Sequence, residues 1–418
     1  MNGVSDTVNQ GSVNTDDVVR SLRAILQGHQ ATPAISNNEP SLPPIGIVKP
    51  ITASPSKSSL RHTLAFLAVT LAGLAVIWNG NRSFAPEMYG VDGMVPAAEA
   101  HAQQKNYAVF DLNLNIRALR EEQIKRMTKT PDVILLGASH WQEAHKDLVQ
   151  GQEFFNAHIH RDYWEDPLGM VELLVKYNRL PKKLIISIRD NQFTPVGNRQ
   201  DFLWEPGIPA YRVMSEKLGL ETESYIKTLP YDRGRALISL PMLFENTTRW
   251  YNASERPGAS KTKHFQNLDV LLPDGSIVWS NKKMKLFTPE RTKKEALAFA
   301  EKRRIAPPLV DPKGIEAFEA LLDFLKEKGV SVYLVNPPFN PIYYDTLQGT
   351  PYFDGLTRIE ALVQRIATDH KLPLFGSFNP HKIGCTADMY IDAEHSNEHC
   401  LKKIFDEFTT LDSARGAQ

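Results

Sequence analysis

From residue 106 onward the chain alternates short, uninterrupted apolar runs with longer segments of helical periodicity. The apolar runs predict buried strands at 132–137, 183–188, 330–335 and 372–375. Apolar residues at helical spacing predict helices at 111–129, 166–179, 314–328, 356–370 and 398–409, with Gly329 as a helix stop. Strands that alternate with helices in this way predict an α/β fold with a doubly wound parallel sheet in a three-layer sandwich.

Residues 197–312 do not keep this alternation, and we expect them to form an inserted subdomain beside the functional site. Within them, Asp274-Gly275 lies between alternating apolar residues, which is typical of a hairpin turn. Three tryptophans of this segment either stack on sugar rings or fill a small core: Trp204, Trp250 and Trp279.

An uncharged apolar run at 63–78 predicts one transmembrane helix, with the membrane segment at about 60–80. Lys49, Lys57 and Arg61 precede the run and only Arg82 follows closely, which places the N-terminus in the cytoplasm and exports the rest. A buried helix of a soluble domain is the alternative. An uncleaved signal anchor is favoured over a cleaved signal peptide, because the segment before the apolar run is too long and the cleavage-like sequence at 100–102 lies too far beyond it. We therefore expect a single-pass protein of the inner membrane with a periplasmic or extracytoplasmic domain.

The remaining segments complete the predicted domain organisation. Residues 1–59 are rich in Ser, Asn and Pro and contain no aromatic residue, so they are expected to be mostly disordered. An amphipathic stretch at 16–27 is either a transient helix or a docking helix for a cytosolic partner. A linker is expected at 81–105, the exported α/β domain at 106–410, and a disordered C-terminus at 411–418.

Charge and cysteine content narrow the classes of partner and compartment. The 48 basic and 48 acidic residues balance, so nucleic acid is not an expected partner. The only two cysteines, Cys385 and Cys400, are in an exported segment where thiols often pair. They are expected either to form a disulfide around the intervening segment or to be two unrelated buried thiols.

Two separated motifs carry candidate chemistry. Gly137-Ala138-Ser139 follows the first predicted strand, and the carboxyl ends of strands are where open α/β sheets place their active sites. Far downstream, Asp392 and His395 are three residues apart. A serine needs a base to remove its proton, and the base needs a third group to fix its tautomer. Ser139, His395 and Asp392 are therefore predicted to form a catalytic triad.

A Gly-x-Ser after the first strand, followed by a late Asp-x-x-His before the last helix, resembles the SGNH (GDSL-type) hydrolase superfamily over about residues 130–410. An N-terminal anchor before such a domain is similar to the DltD-like and polysaccharide O-acetyltransferase branch. The resemblance implies an SGNH/flavodoxin-like sandwich in which Ser139 is the nucleophile. It also implies an envelope polysaccharide or polymer as substrate and a membrane-bound O-acyltransferase as partner.

The resemblance also implies a site that binds the oxyanion, and the sequence supplies this site less completely than it supplies the triad. The second block normally supplies a glycine N-H, and residues 154–157 contain no glycine, so the backbone of Ala157 is the substitute. Asn191, just past the second predicted strand, is the candidate side-chain donor, with a plain loop role as the alternative. Arg189 and Asp190 either hold a substrate or one another.

No metal and no cofactor are predicted. Six possible metal ligands lie close together in the sequence, but their spacing does not match a known zinc motif: His140, His145, His158, His160, Asp162 and Glu165. The leading functional prediction is a membrane-anchored, exported serine O-acyltransferase, with acetyl transfer to a cell-surface or extracellular polysaccharide. The alternatives are a carbohydrate esterase that removes such groups and a non-catalytic scaffold protein of the envelope.

Overall fold

The computed structural model describes residues 57–84, 91–110, 114–160, 162–195, 207–220, 239–252 and 254–416. The expected disorder before residue 57, the stretch at 16–27 and Trp204 lie outside these residues. By its internal contacts the chain divides into residues 1–63 and residues 64–418. All of the strands and the candidate site belong to the second unit.

The strands are β1 (Asn106–Val109), β2 (Val133–Leu136), β3 (Phe154–Asn156), β4 (Lys183–Ser187), β5 (Gly258–Ser260), β6 (Asp269–Leu271), β7 (Ile277–Val278), β8 (Ser331–Asn336) and β9 (Leu374–Gly376). The first helices are α1 (Lys57–Phe84), α2 (Val91–Ala102), α3 (Ile116–Arg126), α4 (Glu165–Lys176), α5 (Ile208–Lys217), α6 (Leu240–Asn252) and α7 (Asn281–Met284). The later helices are α8 (Pro289–Arg303), α9 (Pro312–Glu327), α10 (Pro341–Leu347), α11 (Pro351–Asp369), α12 (Pro380–Ile383) and α13 (Glu398–Gly416).

Five parallel strands form the main sheet, in the order β3-β2-β4-β8-β9. Val133 of β2 lies opposite Phe154 of β3 on one side and Lys183 of β4 on the other. The predicted mixed α/β architecture with a parallel sheet is therefore confirmed. The chain passes from β2 outward to β3 and then returns across β2 to β4, so the strand order reverses between β2 and β4. A reversal of this kind opens a crevice at the carboxyl ends of the two strands.

Both faces of the main sheet are covered. Ile134 and Leu136 of β2 enter the larger core cluster, which includes residues of α3, α4, α9 and α11. Val133 and Leu135 point the other way, into a second cluster that contains four apolar residues of α13: Leu401, Ile404, Phe405 and Phe408. Because successive side chains of a strand alternate between faces, the uninterrupted apolar run of β2 supplies both clusters.

A second, antiparallel sheet has the order β5-β1-β6-β7. β6 and β7 form a hairpin whose turn contains Asp274 and Gly275, as predicted. Gly275 has a φ of +85°, and a Cβ there would approach the carbonyl oxygen of Asn156 to 2.1 Å. The hairpin turn is thus seated against the end of β3. Since β1 precedes the main sheet in sequence, the second sheet combines one strand from before 197–312 with three strands from within it.

Helix α1 is the one candidate membrane span among the described residues. The span Arg61–Asn81, of 21 residues, has a mean hydropathy of 1.8, and its apolar window is not buried by the rest of the protein. At about 1.5 Å per residue this window covers roughly 31 Å, close to the roughly 30 Å of a bilayer core. By length and composition, α1 is therefore long and apolar enough to cross a membrane.

The prediction of a linker at 81–105 is wrong for its second half. Residues 91–102 form α2, which packs on α3 and buries Met94, Ala97 and Ala98. The small side chains of Ala97 and Ala98 allow the two helices to approach closely. The segment therefore belongs to the folded body.

The prediction of disorder from residue 411 is also wrong, because α13 continues to Gly416. The carboxylate of Asp412 accepts hydrogen bonds from Lys183 Nζ at 2.6 Å and from the Tyr333 hydroxyl at 2.7 Å. These contacts attach the last turns of α13 to strands β4 and β8. They depend on tertiary proximity and leave no local signal in the sequence.

Candidate active site

Ser139 lies just past the carboxyl end of β2, beside the reversal in strand order. Gly137 joins the strand to this turn, and a Cβ there would come within 2.7 Å of both the Ser187 Cβ and the Trp141 ring. Glycine is therefore required for β2 to pass this close to β4. Ser139 then begins a short 3-10 turn that ends at Trp141, and its side chain is partly exposed. A ligand in the crevice has access to its hydroxyl.

The turn Asp392–His395 lies in the chain between β9 and α13. One carboxylate oxygen of Asp392 accepts the backbone N-H groups of Glu394 and His395, each at 2.8 Å. Its other oxygen lies 2.7 Å from His395 Nδ1. A single carboxylate thus closes the turn and orients the imidazole ring.

The other ring nitrogen of His395, Nε2, lies 2.8 Å from the Oγ of Ser139. The hydroxyl, the imidazole and the carboxylate of Asp392 therefore form one continuous hydrogen-bonded line across 256 residues of sequence. This is the arrangement in which a histidine can take the proton of a serine as the serine attacks an electrophilic carbon. The structure brings together the three side chains that the sequence predicted as a triad.

The electrostatics of the pair stabilise a charged imidazolium. Burial lowers the pKa of His395, but the charge of Asp392 and the hydrogen bond to it outweigh burial and raise the pKa to about 8. Burial raises the pKa of Asp392, but His395 and the two backbone N-H groups outweigh it and hold that pKa well below its usual range. Asp392 therefore remains ionised while His395 gains and loses a proton near neutral pH.

The pKa of His395 predicts the pH dependence of any reaction that Ser139 performs. Only the neutral imidazole accepts the serine proton, so kcat/KM for an ester should rise with pH and level off above about 8. Below that value it should fall about tenfold per pH unit. Steady-state rates with a chromogenic acetyl ester between pH 5.5 and 9.5 measure the profile. A flat profile over this range would exclude His395 as the base.

Two further contacts hold the turn that carries His395. The side-chain amide of Asn340 donates to the carbonyl of Asp392 at 3.0 Å, and its backbone N-H donates to the carbonyl of Ala393 at 3.1 Å. Asn340 is fully buried and also caps α10 through its side-chain oxygen. Sequence reasoning missed this residue, although an Asn before Pro341 is a readable helix-start signal.

Cys385 and Cys400 form a disulfide that spans the turn, with their Cα atoms 5.4 Å apart. Both residues are buried against the start of α13. The bridge closes a loop of 15 residues of sequence separation around Asp392 and His395. Of the two alternatives left open by the sequence, the structure contains the disulfide.

Replacing both cysteines by alanine should lower the free energy of unfolding by about 2–4 kcal/mol, because a loop of this length gains conformational freedom in the unfolded chain. Urea unfolding of the full chain in detergent, followed by tryptophan fluorescence, measures the change. Reduction of the disulfide in the unsubstituted protein should lower the free energy of unfolding by a similar amount. Equal midpoints for oxidised, reduced and substituted chains would show that the bridge adds no stability.

The oxyanion prediction is wrong for Ala157. Its backbone N-H donates to the carbonyl of Leu135 at 2.8 Å, as part of the ladder between β2 and β3. A donor already used in the sheet is not free to bind an oxyanion. The N-H groups of Ser139 and His140 open the 3-10 turn, and the first N-H groups of such a turn have no partner within it. They are the better backbone donors.

Asn191 lies in the turn after β4, where its backbone carbonyl accepts the N-H of Thr194. Its buried side-chain oxygen has no hydrogen-bond partner among the described residues. The side chain is therefore not used to close the turn. Its role as an oxyanion donor stays a prediction.

Arg189 is buried just past the end of β4 and acts electrostatically on His395. It contacts Asp162 at 3.5 Å, while its Nε has no hydrogen-bond partner in the described part of the chain. Burial raises the pKa of Asp162 to about 7, although Arg189 opposes this shift. Asp162 neutralises the charge of Arg189 only in part. Arg189, which lies near His395, is therefore a candidate ligand-binding group.

Arg189 belongs to a larger group of buried polar side chains on this side of His395. Asp190 accepts a hydrogen bond from the Tyr352 hydroxyl and lies 3.9 Å from Arg303. Burial, followed by the charge of Asp190, raises the pKa of Glu394. Within the described residues, one atom of each of four of these side chains lacks a hydrogen-bond partner: Arg189 Nε, Asp190 Oδ1, Tyr343 Oη and Glu394 Oε1. We call these four residues the polar pocket.

On the other side of the site, His140 is buried and Glu143 is half-buried. The His140 ring lies 5.6 Å from the His395 ring, and burial lowers its pKa well below the ordinary value. Glu143 accepts a hydrogen bond from Trp279 Nε1 at 2.5 Å, and burial raises the pKa of Glu143 to about 7. Trp279 is therefore anchored to the site by its polar end. The side chain of Trp250 lies outside the described residues.

The histidines that cluster in sequence have separate surroundings. His158 joins a buried network with Arg120 and Asn156, and His145 lies near Asp147 and Glu398. Across the described ranges, no group of three His, Cys, Asp or Glu side chains has an arrangement that would hold a metal ion.

Comparison with known protein families and with curated protein sequences finds no match to this chain. The geometry of the site therefore carries the functional argument.

Proposed function

We propose that the protein is a membrane-anchored serine O-acyltransferase of the SGNH type that acts on an envelope or extracellular polysaccharide. The observation that supports this best is the hydrogen-bonded line from Ser139 Oγ through His395 to Asp392, with distances of 2.8 and 2.7 Å. A partly exposed serine at one end and a half-buried, ionised carboxylate at the other fit acyl transfer. Helix α1 supports the anchor.

In the proposed first half-reaction, Ser139 Oγ attacks the carbonyl carbon of the acyl donor. Its proton moves to His395 Nε2 and then to the leaving oxygen, as the bond between that oxygen and the acyl carbon breaks. In the second half, His395 takes the proton of an acceptor hydroxyl as its oxygen attacks the acyl carbon. The bond between that carbon and Ser139 Oγ then breaks, and His395 returns the proton to Ser139 Oγ. The backbone N-H groups of Ser139 and His140 and the side chain of Asn191 are the donors proposed for the oxyanion.

A sugar as acceptor is supported by the polar pocket. Buried donors and acceptors without partners are costly, and a hydroxyl-rich ligand would satisfy them. The pocket contains both signs of charge, in Arg189 and in the carboxylates of Asp190 and Glu394, so it can donate to and accept from neutral hydroxyl groups. The acyl donor and a partner O-acyltransferase of the membrane are proposed from the resemblance alone. The cytoplasmic N-terminus and the exported catalytic domain are proposed from the basic residues that precede the apolar run: Lys49, Lys57 and Arg61.

The test uses the full chain in a nonionic detergent with p-nitrophenyl acetate as donor. Release of p-nitrophenol measures formation of the acyl-enzyme, and mass spectrometry of an added hexasaccharide detects the acetylated sugar. Acetylated sugar formed by the native chain but not by a chain lacking the Ser139 hydroxyl supports transfer. If the release of p-nitrophenol does not depend on Ser139, both transfer and hydrolysis are contradicted and a scaffold role is favoured.

An esterase is the second candidate, and the partial exposure of Ser139 favours it. Water that reaches the acyl-enzyme competes with the sugar hydroxyl. Release of p-nitrophenol and acetate without any acetylated sugar, over a series of neutral and anionic acceptors, would assign hydrolysis.

A further inference from the structure

A cavity of about 680 Å³ lies along β3, the outer strand of the main sheet, and neither Ser139 nor His395 lines it. Its lining includes Pro131, which precedes β2, and residues 152–155, where β3 begins. Because β2 and β3 are parallel, their amino ends meet at one edge of the sheet and the nucleophile lies at the other. The four residues of β2 alone separate the two edges by about 13 Å. We call this cavity the basic cleft.

The side chains that line the basic cleft are predominantly cationic. Six basic residues contribute to it: Lys105, Arg126, Lys129, Lys146, Lys261 and Lys263. Only Glu153 and Asp274 are acidic among its described lining residues. The whole chain has no net charge, so this is a local concentration of positive charge.

Most of these cations are not neutralised by the protein. Arg126 pairs with Glu122, and Lys129 lies 4.0 Å from Glu153. The carboxylate of Asp274 accepts hydrogen bonds from Lys146 N and from Ser276. Within the described residues, no carboxylate is within ion-pair distance of the amino groups of the remaining lysines of the cleft: Lys105, Lys146, Lys261 and Lys263. These side chains attract an anionic ligand.

The chain segment that contains Lys261 and Lys263 is also held in place. Asn106, which is 7 % exposed, donates through its side-chain amide to the carbonyls of Thr262 and Lys261 at 3.0 and 3.4 Å. Lys261 and Lys263 are thereby fixed beside β1. Uncharged amides of Gln103, Gln104 and Gln123 complete the wall. Amides of this kind hydrogen-bond to hydroxyl groups.

We propose that the basic cleft binds a polysaccharide whose sugars carry anionic groups, and that this site is separate from the triad. The lysines would pair with the anionic groups and the glutamines with the hydroxyls. A concave cleft favours a single polymer chain over a lipid bilayer, because a flat membrane surface does not enter a cavity. The inference does not depend on the chemistry of Ser139.

Calorimetric titration of the full chain in nonionic detergent with hexagalacturonate tests the proposal, with maltohexaose as the uncharged probe. We expect binding of the anionic hexamer alone, and weaker binding at higher salt because salt screens exposed charges. The double variant Lys261→Gln/Lys263→Gln should bind about three- to tenfold more weakly. The Ser139→Ala chain should bind as well as the native chain, which separates this site from the proposed function.

Lys326→Gln/Lys328→Gln is the matched control, since it removes the same charge from exposed positions at the end of α9. Equal loss of affinity in both double variants would overturn the assignment to the cleft, as would no binding of the hexamer. Equally tight binding of hexathymidylate would show a general attraction for polyanions. Binding confined to vesicles that contain phosphatidylglycerol would assign the cleft to the membrane surface. Each of these results contradicts a polysaccharide site.

Discussion

Replacing Ser139 by alanine is expected to lower kcat for a chromogenic acetyl ester by about 10⁴-fold or more, because the reaction then loses its nucleophile. The Oγ of Ser139 lies 2.8 Å from His395 Nε2. Without this atom the base has no proton to accept, and the acyl group has no site of attachment. Steady-state release of p-nitrophenol by the full chain measures the loss.

The loss should not come from unfolding. The Ser139 side chain is partly exposed, so removing one hydroxyl leaves no buried group unpaired except His395 Nε2. The thermal midpoint of the Ser139→Ala chain should therefore stay within about 2 °C of the native chain. Ser413→Ala, which removes an exposed hydroxyl of α13, is the control and should keep full activity. Equal product release by native and Ser139→Ala chains would end the enzymatic proposal.

Replacing Asp392 by asparagine should lower kcat by about 10³–10⁴-fold, because the imidazolium that forms during proton transfer loses its counter-charge. The change also acts on the pH profile. The carboxylate holds the pKa of His395 at about 8, so without it the midpoint of the remaining activity should move below the ordinary value of 6.5. A combined loss of rate and downward shift of the midpoint identifies an electrostatic role.

Asp388→Asn is the matched control for this second variant. Asp388 is exposed and lies within the same disulfide-closed loop, where it accepts a hydrogen bond from Thr386. Its replacement should change kcat less than twofold and leave the pH midpoint in place. If Asp392→Asn reduced the rate with no shift in the midpoint, the aspartate would be only a structural part of the turn, with its two backbone hydrogen bonds as the reason.

Much of the fold could be predicted because its strongest elements carry local signals. Strand β2 is apolar throughout, and β4 and β8 contain uninterrupted apolar runs at 184–186 and 332–335, which mark strands buried on two faces. Gly329, with a φ of +72°, ends α9 where the sequence placed a stop. β3 was missed as a strand because its three residues are too short a run to show a period.

Errors arose where a residue's role depends on what lies next to it in space. Ala157 was a reasonable N-H donor in the sequence, but pairing of β3 with β2 uses that N-H. The last turns of α13 look polar and loose, yet Asp412 attaches them to the sheet. In each case the deciding partner is more than 20 residues away, and no local pattern records it.

The sequence by itself determined the parallel α/β character, the apolar helix α1 and the three side chains Ser139, Asp392 and His395, because each has a local pattern of hydrophobicity or spacing. Only the tertiary structure decided that these side chains meet, with 2.8 Å between Ser139 Oγ and His395 Nε2. It also decided which backbone donors are free, which buried polar atoms lack partners, and where the lysines of the basic cleft converge. These properties depend on distances across the fold, which the order of residues does not contain.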